Sequence, residues 1–182
     1  MNNPTANPQS TSDLPPREQQ ARNDLHALLK GIRSAVLGTV DSRGSPEASY
    51  APVILDDSGA FYVYVSELAK HANNLKRSAK ASLMLIEDES ASENLHARRR
   101  ATWNCQVVPI PRDSQAFRSH INTFIQRFGS TMEHLASMQD FTLFQLTPQS
   151  GRLVLGFGQA FRLNGLQVHI PLRGAHRPAQ KS

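Results

Sequence analysis

Apolar positions first recur at helical spacing, with Ala21, Leu25, Leu28, Leu29 and Ile32 falling on one face. Pro15 and Pro16 open this helix, because a first-turn proline forfeits no required hydrogen bond. It is expected to run to about Lys30. The period then shortens. Ala35–Val40, Ser45–Leu55 and Phe61–Val65 are β-prone stretches, separated by the turn compositions Asp41-Ser42-Arg43-Gly44 and Asp56-Asp57-Ser58-Gly59. Turns this tight leave no room for crossover helices, so the three strands form an antiparallel meander.

Ser66 is placed to cap a helix carrying Leu68, His71, Asn74 and Leu75, followed by a fourth strand at Ala81–Ile86. Glu87–Asn94 is an exposed acidic loop. Arg98–Ile110 is a long edge or barrel strand ended by Pro109 and Pro111. Asp113 or Ser114 caps a helix containing Phe117, His120, Ile121, Phe124 and Ile125, and a shorter helix follows Gly129 through Met132 and Leu135. Phe141–Leu146 and Arg152–Phe157 are expected as two strands separated by residues 147–151. Gly156-Phe157-Gly158 is expected to be a barrel bend where backbones approach closely. Ala160–Leu163 and Leu166–Ile170 flank Asn164-Gly165, a strong hairpin signal. Short strands with two helical insertions give a fold that is mainly β with flanking helices, a compact barrel in preference to a doubly wound sheet. The expected organisation is a disordered tail over residues 1–13, whose Asn, Pro, Ser and Thr bury nothing, a barrel domain over 14–170 and a flexible arm over 171–182.

Charge adds a hint about the partner. The net charge of +5 and pI near 9.8 favour an anionic ligand without identifying it. Nucleic acid is disfavoured, since no recognition helix, zinc pattern or aromatic platform accompanies the charge. The single cysteine, Cys105, excludes an intrachain disulfide and any Cys-rich metal motif. No run of 18 apolar residues and no leader-like stretch is seen, so the expected location is the cytoplasm. A phosphate loop, a HExxH zinc motif and a GxSxG elbow are all lacking, and Gly156-Phe157-Gly158 does not meet the dinucleotide-binding pattern.

The residues that remain each have a bland reading beside a chemical one. Arg98-Arg99-Arg100 is a solvated charged edge or an anion site, and alternation along a strand lets only part of it enter one pocket. His71 packs or hydrogen-bonds unless Asp140, ahead of the Phe141 strand, reaches it within one site or across a dimer. The carboxylate would then orient the imidazole and the pair could relay protons. His169 lies in the expected last strand, whereas His176 follows Gly174 on the C-terminal arm, where a histidine is free to become an axial iron ligand.

Two segments sharpen the picture: Asp140-Phe141-Thr142-Leu143-Phe144-Gln145-Leu146-Thr147-Pro148, and Gly151-Arg152 with Gly156-Phe157-Gly158-Gln159-Ala160-Phe161. Together with Ser66–Leu75, the Gly38–Leu55 hairpin and Ala97–Arg100, they resemble the haem-utilisation proteins of the HutZ and HugZ type, within the pyridoxamine-phosphate-oxidase-like split-barrel group. The resemblance spans residues 20–176. It implies an interdigitated homodimer with cofactor sites at the interface and oxygen-dependent haem cleavage. His176 would be the proximal iron ligand, and His71 with Asp140 would handle protons. Arg100, with Arg99 in reserve, would pair with a haem propionate, and a separate electron donor would be needed.

Two alternatives stay open. One is an FMN-binding oxidoreductase of the same barrel group, weakened because Ser49–Leu55 lacks the Lys or Arg of many flavin-binding relatives and Cys105–Val108 departs from their glycine-containing strand. The other is a non-enzymatic haem carrier using the same ligand and basic pocket.

Overall fold

The computed structural model describes residues 15–171. The expected N-terminal tail and nearly all of the C-terminal arm, His176 included, lie outside the described residues. Helix α1 (Pro16–Lys30) leads into β1 (Ser34–Val40), β2 (Pro46–Leu55) and β3 (Phe61–Ser66). Then come α2 (Lys70–Arg77), β4 (Lys80–Ile86), β5 (Arg100–Ile110), α3 (Gln115–Phe128) and α4 (Ser130–Ser137). The chain continues through β6 (Phe141–Gly156), β7 (Gln159–Asn164) and β8 (Gln167–Pro171). All pairings are antiparallel. They run β3-β2-β1-β4-β5-β6, and β6 pairs back onto β3 to close a six-stranded barrel, with β7 and β8 added beside the second half of β6. No helix of the described residues is long and apolar enough to cross a membrane.

Alternation sorts the side chains into two cores. Leu37, Val53, Phe61, Val63, Leu83, Trp103, Phe144 and Leu146 point into the barrel, joined by Ala21 and Leu25 of α1 and Ala72 and Leu75 of α2. β3 is buried on both faces: Tyr62 and Tyr64 point outward, against Phe117, Ile121 and Phe124 of α3 and Met132 of α4. The strand therefore reads as a continuous apolar run. Ser114 caps α3, its hydroxyl accepting from the Phe117 N–H at 3.1 Å. Arg112 binds the end of α4 to the start of β6. Its guanidinium donates to the carbonyls of Ala136, Met138 and Phe141 and to the Tyr64 hydroxyl. The segment that carries Asp140 is held by these bonds.

Three expectations are corrected. β6 is one strand, not two, because it keeps β5 as a neighbour while exchanging its other one: pairing to β3 ends at Leu146 and pairing to β7 begins at Ser150. The polar residues 147–151 mark that exchange. Ser66 ends β3 and caps no helix; α2 starts at Lys70, and Leu68 is solvent-exposed on the connection. Gly156-Phe157-Gly158 is the β6–β7 hairpin turn, with Gly158 at φ 68° and open space where a Cβ would stand.

The close approach lies instead at Gly151. A Cβ there would fall 2.5 Å from the Thr102 carbonyl oxygen and 2.8 Å from the Trp103 ring, beside the register shift between Trp103 and Cys105. Backbone cannot yield as a side-chain tip does. Gly151→Ala is expected to lose about 2–3 kcal/mol of stability by overpacking; urea unfolding measures it, and an unchanged midpoint contradicts the packing.

Candidate functional site

The arginine run divides between structure and site. Arg99 Nε meets Glu87 Oε2 at 2.6 Å, and its Nη1 lies 3.5 Å from Asp24. Arg98 donates to the Glu87 carbonyl and pairs with Glu89 at 2.8 Å. Both therefore fasten the acidic loop, and Arg99 also ties it to α1. Arg100, the first residue of β5, is half-buried and has no carboxylate partner among the described residues; its Nη1 donates only to the Arg98 carbonyl, at 2.8 Å.

Arg100 lines a cavity of about 650 Å³ on the outer face of β5, β6 and β7, with Thr102, Asn104, Ser150, Arg152 and Arg162. A second concavity of similar volume, also bordered by Asn104, continues over Ala48 and Ser82 to Thr39 and Glu47. The exposed Val40, Tyr50 and Val108 lie on β1, β2 and β5, the strands of this surface. Sequence reading missed Arg152 and Arg162 as site residues. Each is an isolated charge in its own strand, and only the β6–β7 register sets them side by side.

His71 stands in the first turn of α2, half-buried. Its helix is anchored by Asn74, whose amide donates to Thr39 Oγ1 at 3.0 Å in the buried seam between α2 and β1. Thr39 pairs with Glu47 across β1–β2. Burial lowers the His71 pKa below the ordinary histidine value, and the charge of Glu47 opposes that shift. Asp140 is exposed at the same end of the barrel, one residue before the Ser66–Phe141 pair, and its carbonyl accepts from the Glu67 N–H at 2.7 Å. Glu67 ties the two segments together, since its carboxylate accepts from Lys76 at 2.5 Å and from Thr142 at 2.9 Å. No hydrogen bond joins His71 to Asp140 within the protomer among the described residues. The charged neighbour of His71 in its own chain is Glu47, which the sequence reading did not single out because the pairing depends on register.

The lowered pKa sets a sign. Between the unfolded and folded values the unfolded chain binds more protons, so His71 subtracts stability as pH falls below about 6.5. In a ring-proton NMR titration His71 is expected to titrate below that value, and Glu47→Gln should lower it further. A rise in the variant contradicts the pairing. Cys105 is buried with its thiol pushed up to about 12, which leaves it protonated at neutral pH and no nucleophile. Among the described residues no group of three His, Cys, Asp or Glu side chains could hold a metal ion.

Residues 22–155 match the pyridoxamine 5'-phosphate oxidase family. Over 167 residues the chain is 39% identical to the heme oxygenase HutZ of Vibrio cholerae serotype O1, covering 88% of this chain and 94% of that one. The crystal structure of HutZ, described as the heme storage protein of Vibrio cholerae, superposes with a TM-score of 0.68 at 34% identity, over 74% of this chain and 93% of that one. Campylobacter jejuni ChuZ superposes with a TM-score of 0.80 at 27% identity, over 90% and 68%. The closed barrel, its β7–β8 extension and the sequence match converge: the chain belongs to the pyridoxamine 5'-phosphate oxidase family and, within it, stands with the HutZ-like proteins.

Proposed function

We propose that the protein binds haem between the two copies of a homodimer and degrades it with oxygen, and that it serves haem iron utilisation. The observation that carries this reading is the arginine-lined, carboxylate-free cavity on the outer face of β5–β7, in a chain 39% identical to a heme oxygenase. Haem is a flat apolar ring with two carboxylates. The surface offers a matching contrast, guanidinium groups at one end and exposed Val40, Tyr50 and Val108 elsewhere on the strands. A second copy of the chain is the reading's occupant for the rest of this face, as the family resemblance implies.

Arg100 is the propionate partner in this reading, and Arg99 is not, because Glu87 and Asp24 already hold the Arg99 guanidinium. His176, outside the described residues, is the proposed iron ligand on the strength of the family resemblance. Bound haem, substrate and cofactor at once, supplies the iron and the oxygen chemistry, with electrons from a separate donor. The protein's share is ligation, orientation and protons. His71 is neutral at pH 7 in its half-buried seat and can take or give a proton, while Asp140 can fix its tautomer. Since the two do not bond within one protomer, the proposed contact runs between subunits.

Each of His71→Ala and Asp140→Asn is expected to slow haem turnover about tenfold under reducing conditions, with haem affinity little changed. Unaltered rates in both variants would remove the proton role. The second reading, a carrier, is favoured by the description of the Vibrio cholerae structure as a heme storage protein. A carrier would hold haem without ring opening whatever reductant is supplied.

A further inference from the structure

Three guanidinium groups line the β5–β7 cavity, and the propionate role proposed above uses only that of Arg100. Arg152 and Arg162 are directly opposite each other in the β6–β7 register, and Arg152 in turn faces Thr102 of β5. Like charges set opposite each other across a strand pair repel. Elsewhere in the chain Arg98 and Arg99 are each paired with an acid, Glu89 and Glu87. Arg152 and Arg162 are both exposed, among the described residues neither makes an ion pair or a side-chain hydrogen bond, and no Asp or Glu lines the cavity. The Thr102, Asn104 and Ser150 side chains add hydroxyl and amide donors.

The spread of the charges indicates the ligand. Arg100 and the Thr102–Arg152–Arg162 row are two residues apart on β5, about 7 Å along the strand, and β5 to β7 spans two strand spacings, about 10 Å. Strand positions spread over this distance suit two carboxylates carried on one scaffold, and each guanidinium fork can hold a carboxylate through paired N–H donors.

We propose that Arg152 and Arg162 form a second carboxylate-binding position beside Arg100, so that the β5–β7 wall holds both propionates of haem. This rests on the haem reading above.

The test uses the full-length protein and two probes, haem and its dimethyl ester, with Arg152→Gln, Arg162→Gln and the double variant compared with wild type. Wild type is expected to prefer haem over the ester. Each single substitution should weaken haem binding about tenfold, leave ester binding unchanged and leave the ligand-free melting temperature level or slightly higher, since repulsion is relieved. Haem affinity unchanged in all variants overturns the inference and leaves the haem reading standing. Equal losses for haem and ester, or a ligand-free melting temperature that falls by several degrees, mark a packing role and overturn it too. A wild type that binds neither probe overturns the haem reading itself. FMN bound in place of haem and weakened by the same substitutions reassigns the pair to phosphate and overturns the carboxylate claim.

Discussion

Trp103→Ala is expected to lower stability by about 3–5 kcal/mol, a large share of the roughly 5–15 kcal/mol that holds a domain folded. Trp103 is fully buried in the barrel, 5.3 Å from the Phe61 ring, and its Nε1–H donates to the Gly165 carbonyl at 2.8 Å. Truncation removes the ring, leaves a cavity beside the tightly fitted Gly151 and strips the Gly165 carbonyl of its donor. The last point matters for the site, because Gly165 forms the β7–β8 turn next to the strand that carries Arg162. Trp103→Phe keeps most of the apolar volume and should recover much of the loss. Urea unfolding reads both variants, and a loss under about 1 kcal/mol for Trp103→Ala would contradict the packing described.

His176→Ala is expected to weaken haem binding about 100-fold, close to 2.7 kcal/mol, and to change the absorbance signature of the axial ligand. His169→Ala is the control. His169 is exposed on β8 at the edge of the sheet, and its removal should leave both affinity and spectrum as they were. Were His169→Ala to abolish the ligand signature and His176→Ala to preserve it, the assignment would pass to the strand residue. The measurement is an equilibrium haem titration with full spectra of each variant.

The parts of the fold that sequence exposed were those governed by local chemistry. Turn residues at Asp41–Gly44 and Asp56–Gly59, the Asn164-Gly165 hairpin and the helical spacing around Phe117 and Phe124 each carry their own signal. What it hid depended on pairing between distant strands. β6 looks broken at Thr147–Gly151 because its outer neighbour changes there, and nothing in the local pattern records that β5 continues beside it. Spacing alone gives Leu68 a helical place, yet the chain is still turning between β3 and α2. The site follows the same division. Arg99 and Arg100 are indistinguishable in sequence, and only the folded positions of Glu87 and Asp24 separate a structural arginine from a free one. Glu47 and Arg162 carry no signal, and Arg152 only that of the family resemblance, until the fold brings them beside His71, Thr102 and one another.

The most direct test of the central claim is an anaerobic haem titration of the purified, cofactor-free protein, followed by reduction and then oxygen, with absorbance and mass spectrometry following the ring. The account predicts stoichiometric binding and catalase-insensitive conversion to a linear tetrapyrrole with release of iron. Stable binding with no ring opening across several electron donors would contradict degradation and make the protein a carrier, and failure to bind haem at all would contradict the account at its root.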